Sequence, residues 1–120
     1  MHIYSFEKLE VWKESIQLAI KTYKTTDLFP NEEKFGLTSQ MRRCSVSISS
    51  NIAEGTSRLT SKDKAHFMTI AYSSAMELLN QAIISKELNF TTSENYLEIR
   101  KEIESITNKI NSLRNHFLKA

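Results

Sequence analysis

Two opposite charges stand in stretches of this sequence that carry few other charges, although Arg42 directly precedes Arg43. Arg43 lies within SQMRRCSVSISSNIAEG, and Glu77 is the only charged residue of 67–85. A lone buried charge is costly, so we expect Arg43 to pair with Glu77, with Ser47 and Asn51 supplying the remaining hydrogen bonds. We interpret these four residues as a structural polar network. The functional alternative makes Arg43 an anion-binding or catalytic residue.

Basic residues offer a second kind of chemistry, the binding of phosphates. Residues 34–66 carry six lysines and arginines against two carboxylates, although the whole chain has a net charge of only +2. Arg58, Lys62 and Lys64 cluster where a turn is expected, and such a cluster can bind nucleic acid. A solvated basic loop is the alternative.

Signatures of metal binding and catalysis are missing. His2, His66 and His116 show no metal-ligand spacing, and the single cysteine, Cys44, lies on an apolar helix face. The serine-rich segment 45–50 has no nearby histidine base, and there is no glycine-rich phosphate loop. We therefore expect no enzyme activity, no metal and no cofactor.

Four helices must position these residues. Two glycines and one proline in 120 residues are too few for a sheet protein. We predict helices over 7–27, from the cap Asn31 to Glu54, over 61–88 and over 92–118. Short connections force neighbouring helices to be antiparallel. The fold class is thus all-α, a single domain over 1–120 with an up-down-up-down four-helix bundle.

Each predicted helix has a face that repeats at helical spacing. These faces are Leu9, Trp12, Ile16, Ala19 and Tyr23; Leu37, Met41, Cys44, Ile48 and Ile52; Phe67, Ile70, Ser74, Leu78, Gln81 and Ser85; and Tyr96, Ile99, Ile103, Ile106, Ile110, Leu113 and Phe117. We expect them to form the core.

Capping patterns mark several predicted helix ends. Thr60 with Asp63, and Thr91 with Glu94, resemble the capping boxes that begin helices. Gly55 suits the left-handed residue that closes the second helix.

Charge divides the four helices into two kinds. The first and fourth carry charges of both signs opposite the apolar face, whereas the second and third have almost none in their middle turns. A monomer would leave these neutral faces in water, so we expect another copy of the chain to cover them. Neutral, serine-rich solvent surface is the alternative.

Three stretches resemble one family: FEKLEVWKESIQL, FPNEEKFGLTSQMRRCSVSISSNIAEG and AYSSAMELLNQ. They are similar to the four-helix-bundle proteins known as S23 ribosomal protein or 23S rRNA intervening-sequence protein. The resemblance extends to the accessory variability determinant proteins of diversity-generating retroelements. It implies a four-helix protomer, a homopentameric barrel and a role with nucleic acid.

Three functions stay open on the sequence. The first is a non-enzymatic oligomer that binds RNA or DNA through a basic rim, and the second is an adaptor or scaffold for a protein partner. The third is an enzyme, which needs a pocket lined by Arg43, Glu54 and Glu77. The charged N-terminal segment indicates no signal peptide, and no apolar run reaches the ~20 residues of a membrane span. One cysteine fits the reducing cytoplasm.

Overall fold

Four α-helices and two short 3-10 turns make up residues 1–119, the part of the chain that the computed structural model describes. The helices are α1 (Glu10–Thr26), α2 (Leu37–Thr56), α3 (Ser61–Glu87) and α4 (Ser93–Leu118), and the 3-10 turns are Ser5–Lys8 and Asn31–Glu33. The described residues contain no strand, which confirms the all-helical prediction. The predicted cap Asn31 instead opens a separate 3-10 turn, and α2 begins six residues later at Leu37.

The core is built mainly from the apolar faces of α2, α3 and α4. Its fully buried large side chains include Met41, Ile48, Ile52, Met68, Leu78, Ile99, Ile103, Ile106 and Ile110. The predicted core face of α2 is confirmed, with Leu37 half-buried against its edge. The face predicted for α4 is also confirmed, with Leu113 and Phe117 packing on the core from its last turns.

The core face of α1 differs from the prediction. Tyr23 is 44% exposed. The buried residues are instead Val11, Ser15, Leu18, Thr22, Thr25 and Thr26. The Ser15 hydroxyl donates to the Val11 carbonyl at 2.7 Å, and the Thr22 hydroxyl donates to the Leu18 carbonyl at 2.8 Å. Because these hydroxyls are satisfied within the helix, they can face the core without an unpaired polar group.

Gly55 also has a different role from the predicted one. It is buried within α2, and no glycine among residues 1–119 has a positive φ. A Cβ at this position would lie 2.7 Å from Met68 Cε and 2.8 Å from Phe67 Cβ. The glycine is therefore a point of close approach between α2 and α3 and does not end the helix.

Threonine side chains begin both C-terminal helices. Thr60 Oγ1 accepts from the Asp63 amide at 3.1 Å, as the sequence predicts. For α4 the cap is Thr92, which accepts from the Asn95 amide at 3.1 Å, so the prediction of Thr91 was wrong by one residue.

Helix α3 ends in a Schellman motif. Asn89 has φ 61°, its amide donates to the Lys86 carbonyl at 2.9 Å, and the Phe90 amide donates to the Ser85 carbonyl at 2.9 Å. The Phe90 ring lies 5.7 Å from the ring of Phe29, which fixes the α3–α4 connection against the α1–α2 loop.

We predict that the protein is most stable with glycine at this left-handed position, less stable with asparagine and least stable with alanine. A Cβ in this conformation costs roughly 1–2 kcal/mol, and asparagine recovers part of that cost by local hydrogen bonding. Asn89→Gly should raise the free energy of unfolding by about 0.5 kcal/mol, and Asn89→Ala should lower it by about 1 kcal/mol. Urea unfolding measures both changes. An alanine variant as stable as the parent protein would contradict this assignment.

The contacts along α2 and α3 run in opposite chain order. Near the start of α2, Met41 Sδ accepts from the Ser85 hydroxyl near the end of α3 at 3.4 Å. At the other end, Gly55 packs on Met68 and Phe67, in the second turn of α3. The α2–α3 turn therefore lies at one extremity of the molecule.

Candidate functional site

The predicted basic cluster lies on the α2–α3 turn and the first turn of α3. Arg58 and Lys62 are exposed, and Lys64 is half-buried. The Arg58 guanidinium lies 5.0 Å from the centre of the Phe67 ring, and Lys64 Nζ lies 5.6 Å from the centre of the Phe117 ring. Both contacts have cation–π geometry, so these two cations are held in place.

The last turns of α4 enlarge this cluster. Because Lys64 contacts Phe117, the start of α3 and the end of α4 are neighbours. Arg114 and Lys119 lie within about one helical turn of Phe117. We call the five cations Arg58, Lys62, Lys64, Arg114 and Lys119 the basic end. Only one carboxylate, Asp63, belongs to the same two segments, 57–66 and 112–119.

The electrostatics of the basic end favour anions. The amide groups of the first turn of α3 carry the positive end of the helix dipole, and Lys62 and Lys64 add their charges to it. Leu59, between Arg58 and Lys62, is 98% exposed, so an apolar side chain projects from the same turn. The basic end can thus contact a polyanion and a hydrophobic group at once.

The predicted polar network forms only in part. Ser47 and Ser74 share a hydrogen bond at 2.9 Å between their hydroxyls. Asn51 Nδ2 donates to the Ser47 carbonyl at 2.8 Å and to its hydroxyl at 3.0 Å. Two of the four predicted members, Ser47 and Asn51, are therefore hydrogen-bonded to each other, and the contact with α3 is made by Ser47 through Ser74, which was not predicted.

Glu77 has a different partner from the predicted one. Its Oε2 accepts from the Cys44 thiol at 3.5 Å, and Gln81 Nε2 donates to the same sulfur at 3.5 Å. Burial raises the pKa of Cys44, which keeps the thiol protonated as a donor. Within residues 1–119 no ion pair joins Arg43 to Glu77, and both side chains are exposed.

The neighbouring Arg42 has a structural role that its position in the sequence did not indicate. Its Nε donates to Thr26 Oγ1 at 2.9 Å, and its Nη2 donates to the Tyr23 carbonyl at 3.3 Å and to Asp27 Oδ1 at 2.7 Å. Its guanidinium also lies 4.7 Å from the centre of the Tyr23 ring. Arg42 thus joins the end of α1 to α2, with its charge at the negative end of the α1 dipole.

Helices α1 and α4 are joined by ion pairs at the surface. Lys109 Nζ lies 2.6 Å from Glu14 Oε1, and Lys21 Nζ lies 2.8 Å from Glu98 Oε2. Burial raises the pKa of Glu102, whereas Lys21, 3.6 Å from its Oε1, opposes that shift. A groove of about 620 Å³ runs between these helices. Charges of opposite sign therefore balance each other on this side.

The outer side of α2 and α3 is poor in charge and partly apolar. Val46 is 42% exposed, Met76 36%, Ile83 37% and Ile84 40%. Arg43 is the exposed charge in the middle of α2, and Glu77 is the only charge of 67–85. We call this surface the neutral face. It is the surface that we expect, from the charge pattern of the sequence, another copy of the chain to cover.

Metal-binding and membrane-spanning features are both absent from residues 1–119. No group of three or more histidine, cysteine, aspartate or glutamate side chains is arranged to hold a metal ion. None of the helices in this part of the chain combines the length and the apolar character needed to cross a membrane.

Over residues 1–119 these features define a small all-helical structure with four helices around one core, a basic end and a neutral face. The chain belongs to the 23S rRNA-intervening sequence protein family, whose model matches residues 7–112. The predicted resemblance to this family is therefore confirmed.

A solved structure supports the same fold. It is the crystal structure of a protein of unknown function from the S23 ribosomal protein family of Bacteroides thetaiotaomicron, with a TM-score of 0.81 and 24% sequence identity. The similarity covers 87% of this chain and 97% of that chain. At this level of identity the match shows the fold alone. Among curated proteins, none matches this sequence.

Proposed function

We propose that this protein is a non-enzymatic homo-oligomer that binds RNA, or another nucleic acid, through its basic end. The observation that carries the proposal is the meeting of five cations from two helices at one extremity, with one carboxylate in the same segments. Such a surface attracts phosphates from any sequence. The family's name, which refers to 23S rRNA, supports nucleic acid as the partner.

The proposed protomer is an antiparallel up-down-up-down bundle, supported by the opposite chain order of the α2–α3 contacts. The proposed assembly buries the neutral face, because exposed apolar side chains are stabilised when a second copy removes them from water. The family resemblance implies five subunits in a barrel, and its link to retroelement proteins stays a prediction. The lone thiol Cys44 fits action in the reducing cytoplasm.

Assembly would raise the affinity of the basic end for RNA. A protomer offers few phosphate contacts, and each contact alone is weak at physiological salt. In a ring the basic end repeats around one rim, so a single RNA can engage several copies with a high effective concentration. Self-association and nucleic-acid binding are therefore linked in this proposal.

Charge reversal at the basic end tests the binding. We expect Arg58→Glu combined with Lys62→Glu and Lys64→Glu to weaken binding to a structured RNA by at least about a hundredfold at low salt, because attraction to phosphates becomes repulsion. The slope of log K against log salt should fall by roughly 0.9 for each phosphate that the variant no longer binds. Fluorescence anisotropy of a labelled RNA hairpin, titrated at several salt concentrations, measures both quantities.

The matched control reverses three exposed lysines of α1 and α4, Lys13, Lys24 and Lys101, and so changes the net charge equally. It should retain most of the RNA affinity. Equal reductions of affinity in both variants would mean that only total charge matters. RNA binding by the parent protein that does not depend on salt, or no binding at low salt, would contradict the proposal.

The second candidate function is an adaptor for a protein partner. The groove of about 620 Å³ between α1 and α4 favours it, because a segment of another protein can lie between two helices. A pull-down that survives nuclease treatment and high salt, and that fails when groove residues Lys13 and Lys101 are replaced by alanine, would support the adaptor. Release of the captured protein on nuclease treatment would contradict it.

A further inference from the structure

Arg43 and Glu77 are the opposite charges of the neutral face, and residues 1–119 supply little to satisfy either of them. No hydrogen bond or ion pair within this range engages the Arg43 guanidinium, which has five N–H donors. From the same part of the chain the Glu77 carboxylate receives a hydrogen bond only from the Cys44 thiol at 3.5 Å, and a thiol is a weak donor. An ionised carboxylate can accept about four hydrogen bonds, so Glu77 has spare capacity.

The two charges lie on the same surface. Arg43 directly precedes Cys44 in α2, and the Cys44 thiol contacts Glu77 on α3. Around them the surface is neutral, with the exposed apolar side chains of Val46 beside Arg43 and Met76 beside Glu77. Arg43 on the α2 side and Glu77 on the α3 side form a pattern that a neighbouring copy can complement, with its α3 side facing the α2 side of the first. Repetition of this head-to-tail contact closes a ring.

We propose that the neutral face docks a second copy of this chain, with Arg43 of one copy paired to Glu77 of the other. Guanidinium and carboxylate pair with two parallel hydrogen bonds, which adds geometric specificity to the contact. Docking also removes Val46, Met76, Ile83 and Ile84 from water. The inference deepens the self-association proposed above, on which it rests, by naming the surface and the pair that determines its register.

Single charge reversals test the pair. Arg43→Glu and Glu77→Arg each place like charges opposite one another, and like charges at an interface oppose association strongly. We expect each variant to raise the dissociation constant of the assembly by at least about tenfold and to shift the solution mass toward one chain, measured by analytical ultracentrifugation. Both side chains are exposed, so the helical content of the two variants should match that of the parent protein.

Mixing the two variants distinguishes a pair between copies from a pair within one chain. In a mixture, the glutamate introduced by Arg43→Glu in one chain meets the arginine introduced by Glu77→Arg in the other. The mixture should therefore assemble at least about fivefold more tightly than either variant alone, because opposite charges are restored wherever the two variants are neighbours. A ring of five chains keeps one like-charged contact, so its dissociation constant should stay above that of the parent protein. The double variant, which carries both reversals, should also assemble. A mixture that stays monomeric beside a double variant that assembles would place the pair within one chain and overturn the inference.

Matched reversals away from the neutral face control for total charge. Lys101→Glu on α4 and Glu32→Arg on the Asn31–Glu33 turn change the charge equally, both at exposed positions, and should leave the mass unchanged. A parent protein that assembles, with Arg43→Glu and Glu77→Arg equally assembled, would overturn this interface and leave self-association standing. A parent protein that is monomeric at every concentration would overturn both.

Discussion

Replacing Gly55 by valine is expected to lower the free energy of unfolding by about 3 kcal/mol, a large part of the stability of a domain this size. Valine would place its Cβ 2.7 Å from Met68 Cε and 2.8 Å from Phe67 Cβ. The methionine tip can move away, but Phe67 Cβ is attached to the α3 backbone, so α2 and α3 must separate. Valine has a higher helix propensity than glycine, but this difference recovers less than about 1 kcal/mol of the lost free energy of unfolding.

Chemical denaturation of three variants checks this expectation. Gly55→Ala should lower the free energy of unfolding less than Gly55→Val, because it adds only the Cβ. As a control, Glu54→Val at the exposed neighbouring position should change that free energy by less than about 0.5 kcal/mol. Equal stability of Gly55→Val and the parent protein would show that α2 and α3 do not meet closely here. Because Phe67 supports Arg58, the valine variant should also weaken RNA binding at temperatures where it remains folded.

The sequence predicted the core faces of α2 and α4 because their apolar residues keep helical spacing without interruption. In α4 the buried residues Ile99, Ile103, Ile106 and Ile110 are all large and aliphatic, and large residues in such a line have only one favourable environment. Hydrophobic spacing is sufficient in these two helices because large apolar residues define the face, even though Thr38, Ser45, Ser49 and Thr107 are also buried.

The core face of α1 could not be predicted from hydrophobic spacing. Ser15 and Thr22 are completely buried, yet as residue types they are expected at the surface. Their hydroxyls bond the backbone of their own helix, which becomes visible only when the rotation of α1 against its neighbours is known. Gly55 was misinterpreted for a related reason. A glycine that allows two helices to approach and a glycine that ends a helix are the same letter in the sequence.

The residues of the candidate site were likewise predictable from the sequence only in part. Arg58, Lys62 and Lys64 could be found from the sequence because they are close together in the chain. Arg114 and Lys119 belong to the same surface only because Lys64 contacts Phe117, more than fifty positions away in the sequence. The contact of Cys44 with Glu77, in place of the expected Arg43, depends likewise on how α2 and α3 are rotated about their axes.

Leu78→Ala is expected to lower the free energy of unfolding by about 3–5 kcal/mol, since it leaves a cavity at a completely buried position of α3. Ile83→Ala, on the same helix but 37% exposed, should cost the protomer less than about 1 kcal/mol. If the neutral face is an interface, however, Ile83→Ala should weaken assembly. Unfolding must therefore be followed at several protein concentrations, because association adds concentration-dependent stability. A concentration-independent effect of Ile83→Ala as large as that of Leu78→Ala would mean that both sides of α3 are buried within a single chain, and that no second copy is needed to cover its neutral side.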